Sequence, residues 1–307
     1  MVTEGLTGTE NQCLGVAQAL DIVPKILKIK LRQPWAALSP WLGLECGATF
    51  CPPLDGPWPD ILLASGRKSI AVSRYIKRKS KNHTFTVQIQ DPRVNPSQFD
   101  LVAVPEHDPT RGENVLVTTA TPNKVCDGTL ETGRTEFAGL FENLPAPRIA
   151  VLIGGSTKSH AISEQEITNL ITCLKSLSNT ASLMITTSRR TGDENSRRIR
   201  DALKQENVYF WDGASPNPYM GMLGWADYIV ATNDSTSMLS EASTTGKPVY
   251  NIPLVSLSGR QKQLLKNLKT HGAVRDWTGN LENWPYKKLN DAQQIASAIK
   301  EKSGLFG

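Results

Sequence analysis

The chain has 307 residues, 39% of them hydrophobic and 21% charged. Those are the proportions of ordinary globular proteins, so wholesale disorder and fibrous repeats are excluded, and at roughly 100–200 residues per domain the length fits two domains. Lys and Arg number 34 against 29 Asp and Glu, a formal charge of +5, too small an excess to imply a nucleic-acid partner unless one face collects it.

In chain order, Met1-Val2-Thr3-Glu4-Gly5 has neither the basic nor the apolar region of a secretory signal. A Gly-rich turn from Gly5 to Gly8 calls for a full strand before it, yet only Met1-Val2-Thr3 and Glu4 stand there. The first strand is therefore expected to be very short or cut by the start of the chain. The pattern predicts helix over Asn11–Leu20 and strand over Lys25–Lys30. Strand Ile61–Ala64, helix Ile70–Lys79 and strands Thr84–Gln90, Leu101–Val104 and Val115–Thr118 follow. Asn143-Leu144-Pro145-Ala146-Pro147 marks a break, because proline disfavours helix in the residue before it. Beyond it, strands Arg148–Ile153, Leu183–Thr186, Val208–Trp211, Tyr228–Ala231 and Val249–Ile252 are expected. Helices Glu164–Leu177, Ser196–Gln205, Ser237–Thr244, Gly259–His271 and Ala292–Lys302 complete the pattern. Several strands are continuous Val/Ile/Leu runs, as in parallel sheets covered on both faces, and their alternation with helices predicts doubly wound α/β layers. The expected domains are residues 1–145 and 146–307.

No apolar run reaches the ~18–20 residues of a membrane-spanning helix. The five cysteines and four histidines are scattered, with no C-x-x-C and no His-x-x-x-His pair. Neither a metal site nor a disulfide framework is expected, and the sequence reads as cytoplasmic in type.

Polar groups gather where strands end. Gly154-Gly155-Ser156-Thr157-Lys158 follows a strand and reads either as a phosphate-type loop or as a plain strand-to-loop turn; G-x-x-x-x-G-K-[ST] is absent. Asn233-Asp234-Ser235-Thr236-Ser237 opens a helix that carries Glu241 one turn on. Its free N–H groups suit a diphosphate and its carboxylate suits ribose hydroxyls, with N-capping the simpler alternative. Lys247, in Gly246-Lys247-Pro248, is expected to be solvated. Arg189-Arg190 ends another strand as a clamp for anions or a solvated pair, and in the loop Pro216–Met222 either Tyr219 or Met222 could pack against a base, with a Pro-bounded turn and core aromatics the alternative. In the first half, Gly5–Gln12, Ser65–Ser69, Gln88–Arg93 and Val104–Asp108 occupy strand ends, where open α/β sheets bind ligands. Glu10, Asp91 and His107 are candidate general bases, each with a capping or ion-pair role as the alternative. Arg67, Lys68 and Arg74–Lys81 lie near Trp35, Trp41 and Trp58, either as a solvated face with a packed loop or as a surface for anionic lipid.

The run Asn233–Val249 resembles the sugar-nucleotide motif of GT-B glycosyltransferases. Gly8-Thr9-Glu10-Asn11-Gln12, Gln88-Ile89-Gln90-Asp91-Pro92-Arg93, Pro105-Glu106-His107-Asp108, Ile153-Gly154-Gly155, Trp211-Asp212-Gly213 with Asn217-Pro218-Tyr219, and Asp234–Tyr250 together resemble the mitochondrial fission (Elongated Mitochondria) family. The resemblance implies a GT-B-like α/β fold, two Rossmann-type doubly wound domains facing a cleft. It also implies a nucleotide diphosphate-sugar partner and metal-independent sugar transfer without a cofactor. Gly154, Gly155, Ser156, Arg189, Asn217, Tyr219, Ser235, Thr236, Ser237 and Glu241 would hold the donor. Glu10, Asp91 or His107 would serve an acceptor that is lipid-linked or membrane-associated, at a cytoplasmic site that extends to the membrane periphery. The family implies two alternatives: a non-enzymatic adaptor, as plant members that recruit a dynamin-type GTPase to mitochondria resemble, and a nucleotide-sugar epimerase.

Overall fold

The computed structural model describes residues 1–157, 160–257 and 259–306. The chain divides into two units, Met1–Lys124 with Asn290–Gly307, and Val125–Leu289. The first contains β1 (Val2–Thr3), α1 (Thr7–Ala19), β2 (Leu27–Lys28), β3 (Lys30–Leu31), α2 (Trp35–Leu38), β4 (Phe50–Cys51), β5 (Ile61–Ser65), α3 (Ser69–Lys79), β6 (Phe85–Ile89), β7 (Leu101–Pro105) and β8 (Val115–Thr118). The second contains α4 (Asp127–Glu136), α5 (Ala138–Phe141), β9 (Arg148–Ile153), α6 (Glu164–Ser178), β10 (Ser182–Thr187), α7 (Asp193–Ala202), β11 (Val208–Phe210), α8 (Tyr219–Trp225), β12 (Tyr228–Thr232), α9 (Thr236–Thr244), β13 (Val249–Ile252), α10 (Gly259–Thr270) and β14 (Val274–Asp276). The last helix, α11 (Asp291–Ser303), belongs to the first unit.

The first sheet runs β2-β1-β5-β6-β7-β8, every neighbouring pair parallel, with β3 and β4 as a separate antiparallel pair. The two-residue β1 is the short first strand, and it still pairs on both sides, Val2 with Leu27 and with Ala64. Alternate side chains of β5 point to opposite faces, as the pleat requires. Leu63 joins Val16, Ala17, Val87 and Ile89, with Ile295 and Ile299 of α11. Leu62 joins Val2, Phe50, Tyr75 and Ile76. Each face of the sheet is thereby sealed by its own helices. Asp291, the first residue of α11, accepts from the N–H groups of Thr119 (2.9 Å) and Ala120 (3.2 Å), tying the helix to the exit of β8.

The second sheet runs β11-β10-β9-β12-β13-β14, again entirely parallel. This is the doubly wound order that starts in the middle and builds outward first to one side, then to the other. On α6, Ile167, Leu170, Leu174 and Leu177 form one buried stripe, and a Ser163–Glu166 capping box fixes the start of the helix.

The expected boundary at 145/146 falls inside the second unit. The helix α4 has few apolar residues, so hydrophobic periodicity does not reveal it. It packs on α8 through glycines instead. A Cβ on Gly133 would lie 2.6 Å from the Met220 carbonyl carbon, and one on Gly224 2.6 Å from the Leu130 oxygen. Backbones meet there without side chains between them. The guanidinium groups of Arg134 and Arg148 then stand over the Trp225 ring at 4.6 and 5.1 Å. The Pro145–Pro147 run leads into β9: Ser182 donates from its hydroxyl to the Pro145 oxygen and from its N–H to the Pro147 oxygen, at 2.7 and 2.9 Å.

Candidate functional site

In the second sheet the chain reverses direction of growth between β9 and β12, and a crevice opens beyond the carboxyl ends of those two strands. The residues that follow them are Gly154-Gly155-Ser156 and Asn233-Asp234-Ser235. Asp234 has a side chain with 0% exposure. Its Oδ2 accepts from Gly155 N–H (2.7 Å) and from Arg190 Nη2 (2.9 Å), and its Oδ1 from the Thr232 hydroxyl (2.7 Å). A buried carboxylate is tolerated only when charge and hydrogen bonds replace water, and here both do.

The two glycines follow from this arrangement. A Cβ on Gly154 would lie 2.0 Å from Asp234 Oδ2, and one on Gly155 2.0 Å from the Arg190 carbonyl carbon. Their N–H groups are already used: Gly154 donates to the Thr232 hydroxyl (2.8 Å), Gly155 to Asp234, and Ser156 to the Arg190 oxygen (3.0 Å). The expectation that this loop offers those N–H groups to a diphosphate is thus corrected. The glycines let the buried carboxylate and the Arg190 backbone approach, and the loop contributes to the site through the walls it forms.

Those walls enclose an open cavity of about 640 Å³, lined by Ser156, Thr157, Arg190, Asp234, Ser235, Thr236, Ser237 and Gln261. Ser235 is the N-cap of α9, accepting from Met238 N–H at 3.4 Å. The first N–H groups of the helix have no carbonyl four residues back, and with the helix dipole they make this end electropositive. Gln261 donates to the Asp234 backbone oxygen at 3.0 Å and braces the turn. Lys158 lies outside the described residues.

Arg190, rather than Arg189, is the arginine built into the site. Its Nη1 donates to the carbonyls of Gly155 (3.1 Å) and Ser156 (3.0 Å), and its Nη2 to Asp234, while 44% of its side chain stays open to the cavity and solvent. Those three bonds use three of the five N–H donors a guanidinium carries. Arg189 is exposed. The sequence named the Arg189-Arg190 pair and Asp234, but nothing local shows that residues 44 positions apart would share a bond.

A second pair joins the expected residues Tyr219 and Glu241. The phenol of Tyr219, the first residue of α8, donates to Glu241 Oε2 on α9 at 2.5 Å. Burial first, then the neighbouring carboxylate, raise the phenol well above its ordinary pKa, so it remains a donor across the neutral range. Asn217 accepts from Tyr219 N–H at 3.1 Å through its side-chain oxygen and shapes the turn into α8. Lys247, expected in solvent, is turned inward. Its Nζ donates to the oxygens of Leu223 (2.6 Å) and Gly224 (2.7 Å) at the end of α8. Burial, with Arg134 next in effect, lowers its pKa to about 8.

In the first unit, Asp91 and the Val104–Asp108 turn meet at neighbouring strand ends. Asp91 Oδ1 accepts from Arg93 N–H (2.8 Å) and the Thr110 hydroxyl (2.7 Å), and Asp91 N–H donates to Asp108 Oδ2 (3.2 Å). Gln90 and Arg93, with φ of 74° and 57°, hold this turn in the left-handed region. His107 adjoins the buried Asp108. Glu10 sits in the first turn of α1, after β1, and the whole width of β5 separates it from Asp91. At about 4.8 Å per strand this is roughly 10 Å. Among the described residues, no group of three His, Cys, Asp or Glu is placed to hold a metal ion, and no helix is long and apolar enough to cross a membrane.

Two parallel doubly wound units, the second with an anion-suited pocket where its strand order reverses, define a protein of the two-Rossmann-unit, GT-B-like class. The family model described as Mitochondrial fission ELM1 matches residues 7–303, and the chain belongs to that family. It is 27% identical to the mitochondrial fission protein ELM1 of Arabidopsis thaliana over 399 aligned positions, covering 100% of this chain and 91% of that protein. It is 29% identical to the uncharacterized protein RP120 of Rickettsia prowazekii, covering 79% of each. Among solved structures it is similar to the UDP-GlcNAc 2-epimerase of Methanocaldococcus jannaschii (TM-score 0.47, 13% identity, 79% of this chain and 77% of that one). It is also similar to MurG of Acinetobacter baumannii (TM-score 0.41, 14% identity, 78% and 65%). The fold assignment itself rests on the strand orders.

Proposed function

We propose that this protein binds a nucleotide diphosphate-sugar in the second unit and transfers the sugar to an acceptor bound by the first. The observation that carries the reading is the fixed Arg190, held by a buried Asp234 beside the start of α9 in a polar cavity of about 640 Å³. Charge that develops on a departing diphosphate is best stabilised by donors already in place, and Arg190 with the α9 N–H groups are such donors. Ser235, Thr236 and Ser237 would border the diphosphate, and Glu241, oriented by Tyr219, would accept from ribose hydroxyls. Glu10, Asp91 or His107 would serve as the base toward the acceptor.

The test is a thermal-shift and calorimetry screen of UDP-, GDP-, ADP- and dTDP-sugars on the whole protein. One base family should stabilise it, and the Arg190→Ala variant should lose that response. No response to any diphosphate would overturn the reading and favour the second one, a non-enzymatic adaptor, in keeping with a family and an Arabidopsis member named for mitochondrial fission rather than for a reaction. Product analysis with a labelled donor then separates transfer from epimerisation.

A further inference from the structure

Three large apolar side chains stand out of the first unit within seven residues: Leu38 is 50% exposed, Trp41 64% and Leu44 87%. Single exposed apolar residues are ordinary, but a cluster that includes tryptophan marks a contact surface. The segment that carries them is anchored. Trp35 Nε1 donates to the Gly43 oxygen (3.1 Å), Arg74 Nη2 to the Leu42 oxygen (3.0 Å), and the Ser39 hydroxyl to the Arg67 oxygen (3.1 Å). Trp35 and Trp58, half-buried, pack against the core cluster that contains Phe50 and Tyr75. The backbone is thus held to α3 while Leu38, Trp41 and Leu44 project.

The same anchors bring cations to the rim. The bond from the Ser39 hydroxyl to the Arg67 oxygen brings the backbone of the exposed Arg67 to the residue that follows Leu38. At the other end Arg78, also exposed, reaches Glu45 next to Leu44, and Lys79 follows it at the exposed end of α3. Two carboxylates pair in this neighbourhood: the buried Glu45 with both Arg74 and Arg78, and Glu4 with Lys68; two cations share Glu45, and the rim keeps a positive excess.

We infer that the Leu38–Leu44 segment, with Arg67, Arg78 and Lys79 around it, docks this protein on an anionic lipid bilayer. Acyl chains close around a projecting apolar knob without a complementary pocket, which a protein partner would have to supply. Tryptophan settles at the headgroup level, and single-sign cations beside it select anionic lipid. This surface does not depend on the nucleotide-sugar reading.

The test is co-sedimentation of the whole protein with vesicles of phosphatidylcholine and phosphatidylglycerol in a two-to-one ratio, beside vesicles of phosphatidylcholine alone. Binding is expected only to the mixed vesicles and should weaken in high salt. The triple variant Leu38→Ser, Trp41→Ser, Leu44→Ser should lose on the order of tenfold or more in partition. Arg67→Gln and Lys79→Gln should each lose about fivefold. All variants should keep the parental melting temperature, since the altered side chains face solvent. Equal sedimentation of the triple variant, or equal binding to neutral vesicles, would overturn the inference. So would a concentration-dependent dimer that the triple variant abolishes without any effect of lipid, which would assign the surface to a second copy of the chain.

Discussion

Arg190 and Asp234 meet at 2.9 Å across the carboxyl end of the second sheet, one half-exposed and the other with no accessible side-chain surface. Two residues from different β–α turns thereby share one hydrogen-bond network with Gly155 and Thr232. Cutting Asp234 back to alanine strands the Gly155 N–H, the Thr232 hydroxyl and the guanidinium together. Asp234→Ala should lose about 2–4 kcal/mol of stability. Asp234→Asn, which keeps the shape and loses the charge, should lose less. Urea midpoints at constant m-value check the order, and an Asp234→Ala protein as stable as the parent would refute the network's role.

The Gly154-Gly155 pair should tolerate no side chain. Each added Cβ would arrive 2.0 Å from a heavy atom that is itself held in the network. Gly155→Ala should lose about 2–3 kcal/mol, while Gly139→Ala, whose Cβ would have open space within α5, should be neutral or gain up to about 1 kcal/mol. Melting temperatures of the two variants, compared side by side, decide this.

Tyr219 and Glu241 are expected to act as a unit. Glu241→Ala should weaken nucleotide binding about tenfold, about 1.4 kcal/mol. Tyr219→Phe removes the 2.5 Å bond that aims the carboxylate, so it should weaken the same binding by a smaller factor. Calorimetry on the double variant should then show a loss smaller than the sum of the two single losses.

Lys247 sets a pH dependence. Its pKa is lowered to about 8 in the folded chain, against about 10.4 unfolded. Between those values the unfolded state binds more protons, so this residue makes stability rise with pH across that window and fall as pH drops through about 8. The stability difference between the parent and Lys247→Met should therefore shift in the parent's favour from pH 8 to pH 10 and stay flat below pH 7. A difference that is level across the whole range would show that the ammonium is not desolvated.

The division of the chain is also testable. The fragment Val125–Leu289 should unfold in one cooperative step, because it contains α4 and the glycine seam with α8. A fragment starting at Ala146 lacks that helix and leaves Met222 and Leu223, both fully buried in the whole protein, without part of their cover. It should bind a hydrophobic dye and melt broadly.

The layers were legible from local pattern alone. Runs such as Ile149–Ile153 and Leu101–Val104 are short, continuously apolar and carry β-branched residues, as buried strands do, and the stripe on α6 has only one face to bury. Local pattern also put Tyr219 and Glu241 among the candidates, because an aromatic after Asn-Pro and a carboxylate one turn into a helix are local signals. Which groups act together depended on long-range packing. Strand order, the return of α11 to the first unit and the docking of α4 depend on contacts between residues far apart in the chain. The Gly-Gly turn shows the limit most clearly. Read locally it looks open to phosphate, and its N–H groups prove to be taken by Thr232 and Asp234, 78 and 79 residues away. Local patterns record which backbone shapes and which burials are favourable. They carry no record of the partner that will satisfy a donor, because that partner arrives only when the sheet closes.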